Sequence, residues 1–172
     1  MKHTLLARVA DQPGVLNRVA SMFRRRAFNI DSLTVGASEA DGFSRMTIVV
    51  DATRTSAHLV ATNLAKLVPV EDVRDVTALP LIARDLALVR VRCRPEERGA
   101  LHELVSGFRA RVADVSPGEV IVETTGTEED VSDLVELLRP RGVLEVVRTG
   151  RVVMVRGEKD LVPEAAQAEL RR

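Results

Sequence analysis

Leu5-Leu6-Ala7-Arg8-Val9-Ala10-Asp11-Gln12-Pro13-Gly14-Val15-Leu16 reads as an apolar strand that breaks into a turn and resumes as a helix. The strand covers Leu5 to Val9, and the polar pair before Pro13 marks its end. Asp11 or Gln12 is the expected N-cap, with Pro13 in the first helical turn, so that unpaired backbone N–H groups point outward. Such donors attract a carboxylate. Gly14 lets a ligand approach the helix backbone, and Val15 and Leu16 offer an apolar wall beside it. Followed by Asn29-Ile30-Asp31-Ser32-Leu33, the turn suits a small zwitterion such as a free amino acid.

Outward from this turn, Val15, Leu16, Val19, Met22 and Phe23 mark the expected buried stripe of the helix. Arg24-Arg25-Arg26 closes it, three cations that complement the helix dipole. Ile30–Gly36 and Met46–Asp51 read as a hairpin turning at Asp41-Gly42. Thr55 or Ser56 is positioned to cap a second helix with Val60, Leu64, Leu67 and Val68 on one face, and Val70–Thr77 supplies a fourth strand. The order is βαββαβ.

The second half repeats that order in architecture but not in text. Leu86–Cys93 reads as a strand, Pro95 opens a helix bearing Leu101, Leu104, Val105 and Phe108, and Val112–Val115 and Val120–Thr124 flank a turn at Ser116-Pro117-Gly118. Thr127 caps a helix with Val131, Leu134, Val135 and Leu138, which ends at Pro140 and Gly142. Val143–Val147 and Val152–Val155 are expected to complete this lobe, and the chain from Glu158 on is polar, alanine-rich and expected to be frayed or weakly helical. The fold class is therefore α+β: two ferredoxin-like βαββαβ lobes, antiparallel sheets with helices on one face, divided near Leu79-Pro80-Leu81. Such a lobe leaves a sheet face or edge to cover, and a two-fold dimer of N-terminal lobes would bring the Asp11–Leu16 turn close to Asn29 and Ile30 of its own or the neighbouring chain.

Composition removes several classes of function. Lysine plus arginine equals aspartate plus glutamate at 25 each, so no net field favours nucleic acid or an anionic membrane. No apolar run approaches the roughly 20 residues of a membrane helix, and Met1-Lys2-His3 leads directly into strand pattern, which points to a cytoplasmic protein. The single Cys93 falls in a strand pattern, and His3, His58 and His102 lack neighbours at metal-ligand spacing, so neither a disulfide nor a metal site is expected. No phosphate loop, nucleophile elbow or zinc-protease motif occurs.

Pro13–Leu16, Phe28–Gly36 and Ser44–Ile48, with Lys66-Leu67-Val68 and, more loosely, Leu88–Val91 and Val112–Pro117, resemble the ACT-domain regulatory (small) subunit of acetolactate synthase, also called acetohydroxyacid synthase. The resemblance extends to about Gly157. It implies an ACT domain over 1–79 for effector binding and dimerisation, a regulatory domain over 80–157, and a flexible tail over 158–172. It further implies a non-catalytic chain that activates a catalytic large subunit and makes it sensitive to a branched-chain amino acid, usually valine. By that likeness the effector lies at the interface of two ACT domains against Asp11, Gly14, Val15, Leu16, Asn29 and Ile30, where the family usually has asparagine in place of Asp11. No cofactor is implied for this chain; thiamine diphosphate, magnesium and FAD belong to the partner subunit.

Two other classes compete. A free-standing ACT-type amino-acid sensor acting on another partner would share the turn, and a small ferredoxin-like enzyme would need a nucleophile and base that the sequence does not offer.

Overall fold

The structure, a computed structural model, describes residues 2–53 and 56–157. Thr55 and the tail 158–172 lie outside the described residues. The first half forms β1 (Lys2–Ala10), α1 (Val15–Arg25), β2 (Ile30–Ala37), β3 (Phe43–Asp51), α2 (Ala57–Ala65) and β4 (Val70–Asp75), the expected βαββαβ order. Its strands make one antiparallel sheet in the order β2-β3-β1-β4. Consecutive strand side chains point to opposite faces, so Leu5, Ala7 and Val9 of β1 and Met46, Ile48 and Val50 of β3 turn together toward the helices. Val19, Met22 and Phe23 of α1 and Val60 and Leu64 of α2 close over them. Each fully buried aliphatic or phenyl group there contributes about 1.5–3 kcal/mol.

Two expected stripe residues fall outside this core. Leu16 is 48% exposed, because the buried positions Val15, Val19, Met22 and Phe23 recur at three and four residues and Leu16 sits on their flank. Val68 is 94% exposed, because α2 ends at Ala65 and the loop no longer follows the helical period.

Arg24 and Arg25 stand in the last turn of α1, as expected, and backbone bonds also close it. Phe28 N–H donates to Phe23 O (3.0 Å) and Ala27 N–H to Arg24 O (3.2 Å), with Ala27 left-handed at φ 54°. This is a Schellman motif, and Phe28 packs edge-on against Phe23 with ring centroids 6.1 Å apart. The motif aims the chain into Asn29 and β2.

The second half forms β5 (Leu81–Arg92), α3 (Arg98–Ser106), β6 (Arg111–Ser116), β7 (Glu119–Gly126), α4 (Glu128–Leu138), β8 (Val143–Arg148) and β9 (Val152–Val155). Its sheet runs β6-β7-β5-β8, the same topology as the first. The repetition reaches detail that the text of the sequence hides. Both second strands shift register near their start, between Ile30 and Ser32 and between Val112 and Asp114, and α3 also ends in a Schellman motif, with Arg109 left-handed at φ 54°. Thr127 caps α4 as expected, its hydroxyl accepting from Asp130 N–H at 3.1 Å while Asp130 returns a bond to Thr127 N–H. Those bonds hold the Asp130 carboxyl below its usual range.

The chain divides into two compact units, one of Met1–Ile82 with the segment from Val153 on, the other Ala83–Val152. β9 nevertheless joins the second sheet as its fifth strand, as expected. It pairs with β5, and its Val153 carbonyl accepts from the Arg45 guanidinium at 3.2 Å while Arg156 N–H donates to Pro80 O at 2.8 Å. Among the described residues no helix is long and apolar enough to cross a membrane.

Candidate functional site

The turn between β1 and α1 is built by Pro13 and Gly14. Gly14 adopts φ 86°, ψ −5°, and Val15 N–H reaches back to Gln12 O at 3.3 Å. Proline followed by a left-handed glycine is a type II turn. The N-cap is therefore Gly14 rather than Asp11 or Gln12, and no side chain caps the helix. A Pro-Gly pair is a stronger local signal than a cap preference, and it moves the helix start beyond Pro13.

Three consequences follow at this turn. The N–H groups of Gly14, Leu16 and Asn17 find no backbone acceptor among the described residues, so the helix start keeps open donors for an anion. A Cβ built on Gly14 would meet nothing within 4 Å, so its glycine is required by conformation and the space above it is open. Asp11 is anchored through its backbone, its N–H donating to Gly42 O at 2.8 Å, a role for Gly42 that the hairpin signal at Asp41-Gly42 did not reveal. Its carboxylate is exposed and has no partner among the described residues. Val15 is buried in the core beneath the turn, and Leu16 is exposed beside it.

With no capping bond to lose, Asp11→Asn is expected to leave the unfolding midpoint unchanged. Calorimetric titration with valine is expected to give an altered affinity, because an amide removes repulsion from the ligand carboxylate and weakens attraction to its ammonium. Identical affinities would remove Asp11 from the site.

The structure separates the other half of the expected site from this turn. Ile30 pairs with Val50, and Val50 with His3, whereas Ala37 and Phe43 lie at the level of Val9 and Ala10. The seven steps from His3 to Ala10 span roughly 23 Å of strand. Asn29 and Ile30 thus sit at one end of the sheet and Asp11–Leu16 at the other. Within one chain they cannot hold one amino acid. Asn29 is exposed at its end, and Ile30 is half-buried against the core.

The two sheet edges differ. β4 carries Glu71, Asp72, Arg74 and Asp75, charges that discourage strand pairing. β2 between Ser32 and Ala37 has neither charge nor proline. In the second unit the turn ahead of α3 is tied by a side chain: the Glu97 carboxylate accepts from Arg94 N–H at 2.9 Å and from its guanidinium at 2.8 Å. The Arg94 side chain first, then its amide, holds the Glu97 carboxyl down at about 2.

The first unit, βαββαβ with an open helix-start turn, is a ferredoxin-like domain of the kind that ACT domains form. Residues 5–72 match the model of the AHAS small subunit-like ACT domain, and residues 84–157 match that of the small subunit of acetolactate synthase. The chain is 48% identical over 159 residues to a "Probable acetolactate synthase small subunit" of Archaeoglobus fulgidus, covering 92% of this chain and 99% of that one. To the acetolactate synthase small subunit of Mycobacterium leprae it is 45% identical, covering 92% and 94%. The crystal structure of the small subunit from Thermotoga maritima superposes with a TM-score of 0.83 at 35% identity, covering 92% and 99%. The chain belongs to the family of acetolactate synthase small, regulatory subunits.

Proposed function

We propose that this chain activates an acetolactate synthase catalytic large subunit and renders it sensitive to feedback inhibition by valine bound between two N-terminal units. The observation that carries the reading is the separation of Asp11–Leu16 from Asn29–Ile30 along one sheet. Pairing two β2 edges antiparallel about a two-fold axis reverses one sheet against the other, so the Ile30 end of one chain meets the Ala37 and Ala10 end of its partner. Two equivalent sites then form, each with a turn from one chain and an Asn29 from the other. The turn's open N–H groups take the valine carboxylate, the Asn29 amide accepts from its ammonium, and Leu16 and Ile30 flank its side chain.

Valine then acts by linkage. If it binds one arrangement of the dimer better than another, it shifts that equilibrium by its differential affinity, typically about 1–3 kcal/mol. The chemistry of condensing pyruvate resides in the large subunit, with thiamine diphosphate, magnesium and FAD. The test is reconstitution. The purified chain given those cofactors is expected to condense no pyruvate, and titrated into its cognate large subunit it is expected to raise the rate and make it fall with valine. Turnover by the chain alone overturns the reading, and an unchanged rate over a full titration favours a free-standing amino-acid sensor.

A further inference from the structure

The solvent side of α1 carries a feature that effector binding does not use. Asn17, Arg18, Ser21, Arg24 and Arg25 recur at helical spacing and, with Lys66, Leu67, Val68 and Pro69 of the loop between α2 and β4, line a cleft of about 470 Å³. No carboxylate among the described residues pairs with Arg18, Arg24, Arg25 or Lys66. By contrast Arg8, Arg90, Arg94, Arg111, Arg139 and Arg151 each hold one. The dipole of α1 accounts for Arg24 and Arg25 in its last turn but not for Arg18 near its start or for Lys66 in the loop after α2. Like charges crowded on one helix face oppose folding unless an anion joins them.

The character of the cleft says what kind of anion. All four cations are exposed, no aromatic ring lines the cleft, and none of its polar groups is a buried atom awaiting a partner. A small-molecule site is ordinarily more enclosed and has fixed polar groups. Here Val68 stands almost wholly in solvent beside the arginines, with Leu67 half-buried next to it. Arginine around an exposed aliphatic group is the composition of a protein contact. We propose that this cleft is where an acidic surface of the catalytic large subunit docks, an inference that rests on the regulatory reading above. Its carboxylates pair with Arg18, Arg24, Arg25 and Lys66, and an apolar side chain covers Val68. Because Gly14 is the N-cap of α1, one rigid helix then joins the effector turn to the docking surface, and a shift of α1 on valine binding moves the cations that grip the enzyme.

The test uses the full chain and its cognate large subunit. In an Arg24→Glu/Arg25→Glu variant the concentration for half-maximal activation is expected to rise about tenfold or more, and its dependence on salt to flatten. Calorimetric valine affinity of the free variant is expected to stay as in the wild type, which shows that the first unit is intact. Lys66→Glu, in a loop, is expected to act in the same direction and serves if the double variant does not fold. Folded variants that activate at wild-type concentrations overturn the docking surface while leaving the regulatory reading in place, whereas a wild type that fails to activate overturns that reading. Saturable binding of inorganic triphosphate that the variants lose, with activation untouched, also overturns the proposal and assigns the cleft to a small anion.

Discussion

Gly14→Asp is expected to desensitise the reconstituted enzyme to valine while leaving its activation in place. The substitution does two things that must be separated. At φ 86° any side chain on an L residue pays a conformational cost of about 1–2 kcal/mol, whatever the open space around it. Gly14→Ala pays the same cost without a charge, so it serves as the matched control. Gly14→Asp is expected to lose about 1 kcal/mol less stability than Gly14→Ala in denaturant unfolding, because its carboxylate can cap the open N–H groups. Only Gly14→Asp places a carboxylate against the open N–H groups, where it competes with the carboxylate of the ligand and repels it. The valine concentration for half inhibition is expected to rise about tenfold or more beyond that of Gly14→Ala, a difference of about 1.4 kcal/mol. Equal valine sensitivity of the two variants would place the effector elsewhere.

The second expected result is complementation between two defective chains. Asn29→Ala removes an amide at the far end of the sheet, and alone it is expected to weaken valine binding about tenfold. If each site takes its turn from one chain and its Asn29 from the other, a dimer of one Gly14→Asp chain and one Asn29→Ala chain has one doubly defective site and one intact site. Refolding the two variants together in equal amounts is expected to restore wild-type affinity at about a quarter of the sites, since about half the dimers are mixed. Calorimetry reads both the affinity and the stoichiometry. A mixture that behaves as the average of its parents would mean that the turn and Asn29 do not share a site, and the dimer through β2 would fall with it.

Valine should also stabilise the wild-type dimer. At a hundredfold excess over its dissociation constant the gain is about 2.7 kcal/mol if it binds only the folded state. That gain provides the check that both variants lose ligand rather than fold.

Much of this architecture is legible along the chain because its cues are local. The period of two in Leu5, Ala7 and Val9, the spacing of Val15, Val19, Met22 and Phe23, and Thr127 three residues before Asp130 each report on neighbours within a turn or two. Those cues suffice for two βαββαβ units. The Pro13-Gly14 turn was also within reach, since proline followed by glycine specifies a type II turn, but a general preference for capping side chains pointed to Asp11 or Gln12 instead. The Schellman end of α1 was hidden because Ala27 stands in the left-handed position where glycine would have advertised it. From the sequence by itself came the order of elements, the family and the six residues proposed for the effector. The tertiary structure alone decided that those residues lie at opposite ends of one sheet and that Arg18, Arg24, Arg25 and Lys66 meet around one cleft. Periodicity says which side a residue faces, but register and strand order depend on pairings between distant segments, and only those pairings set which residues can share a ligand.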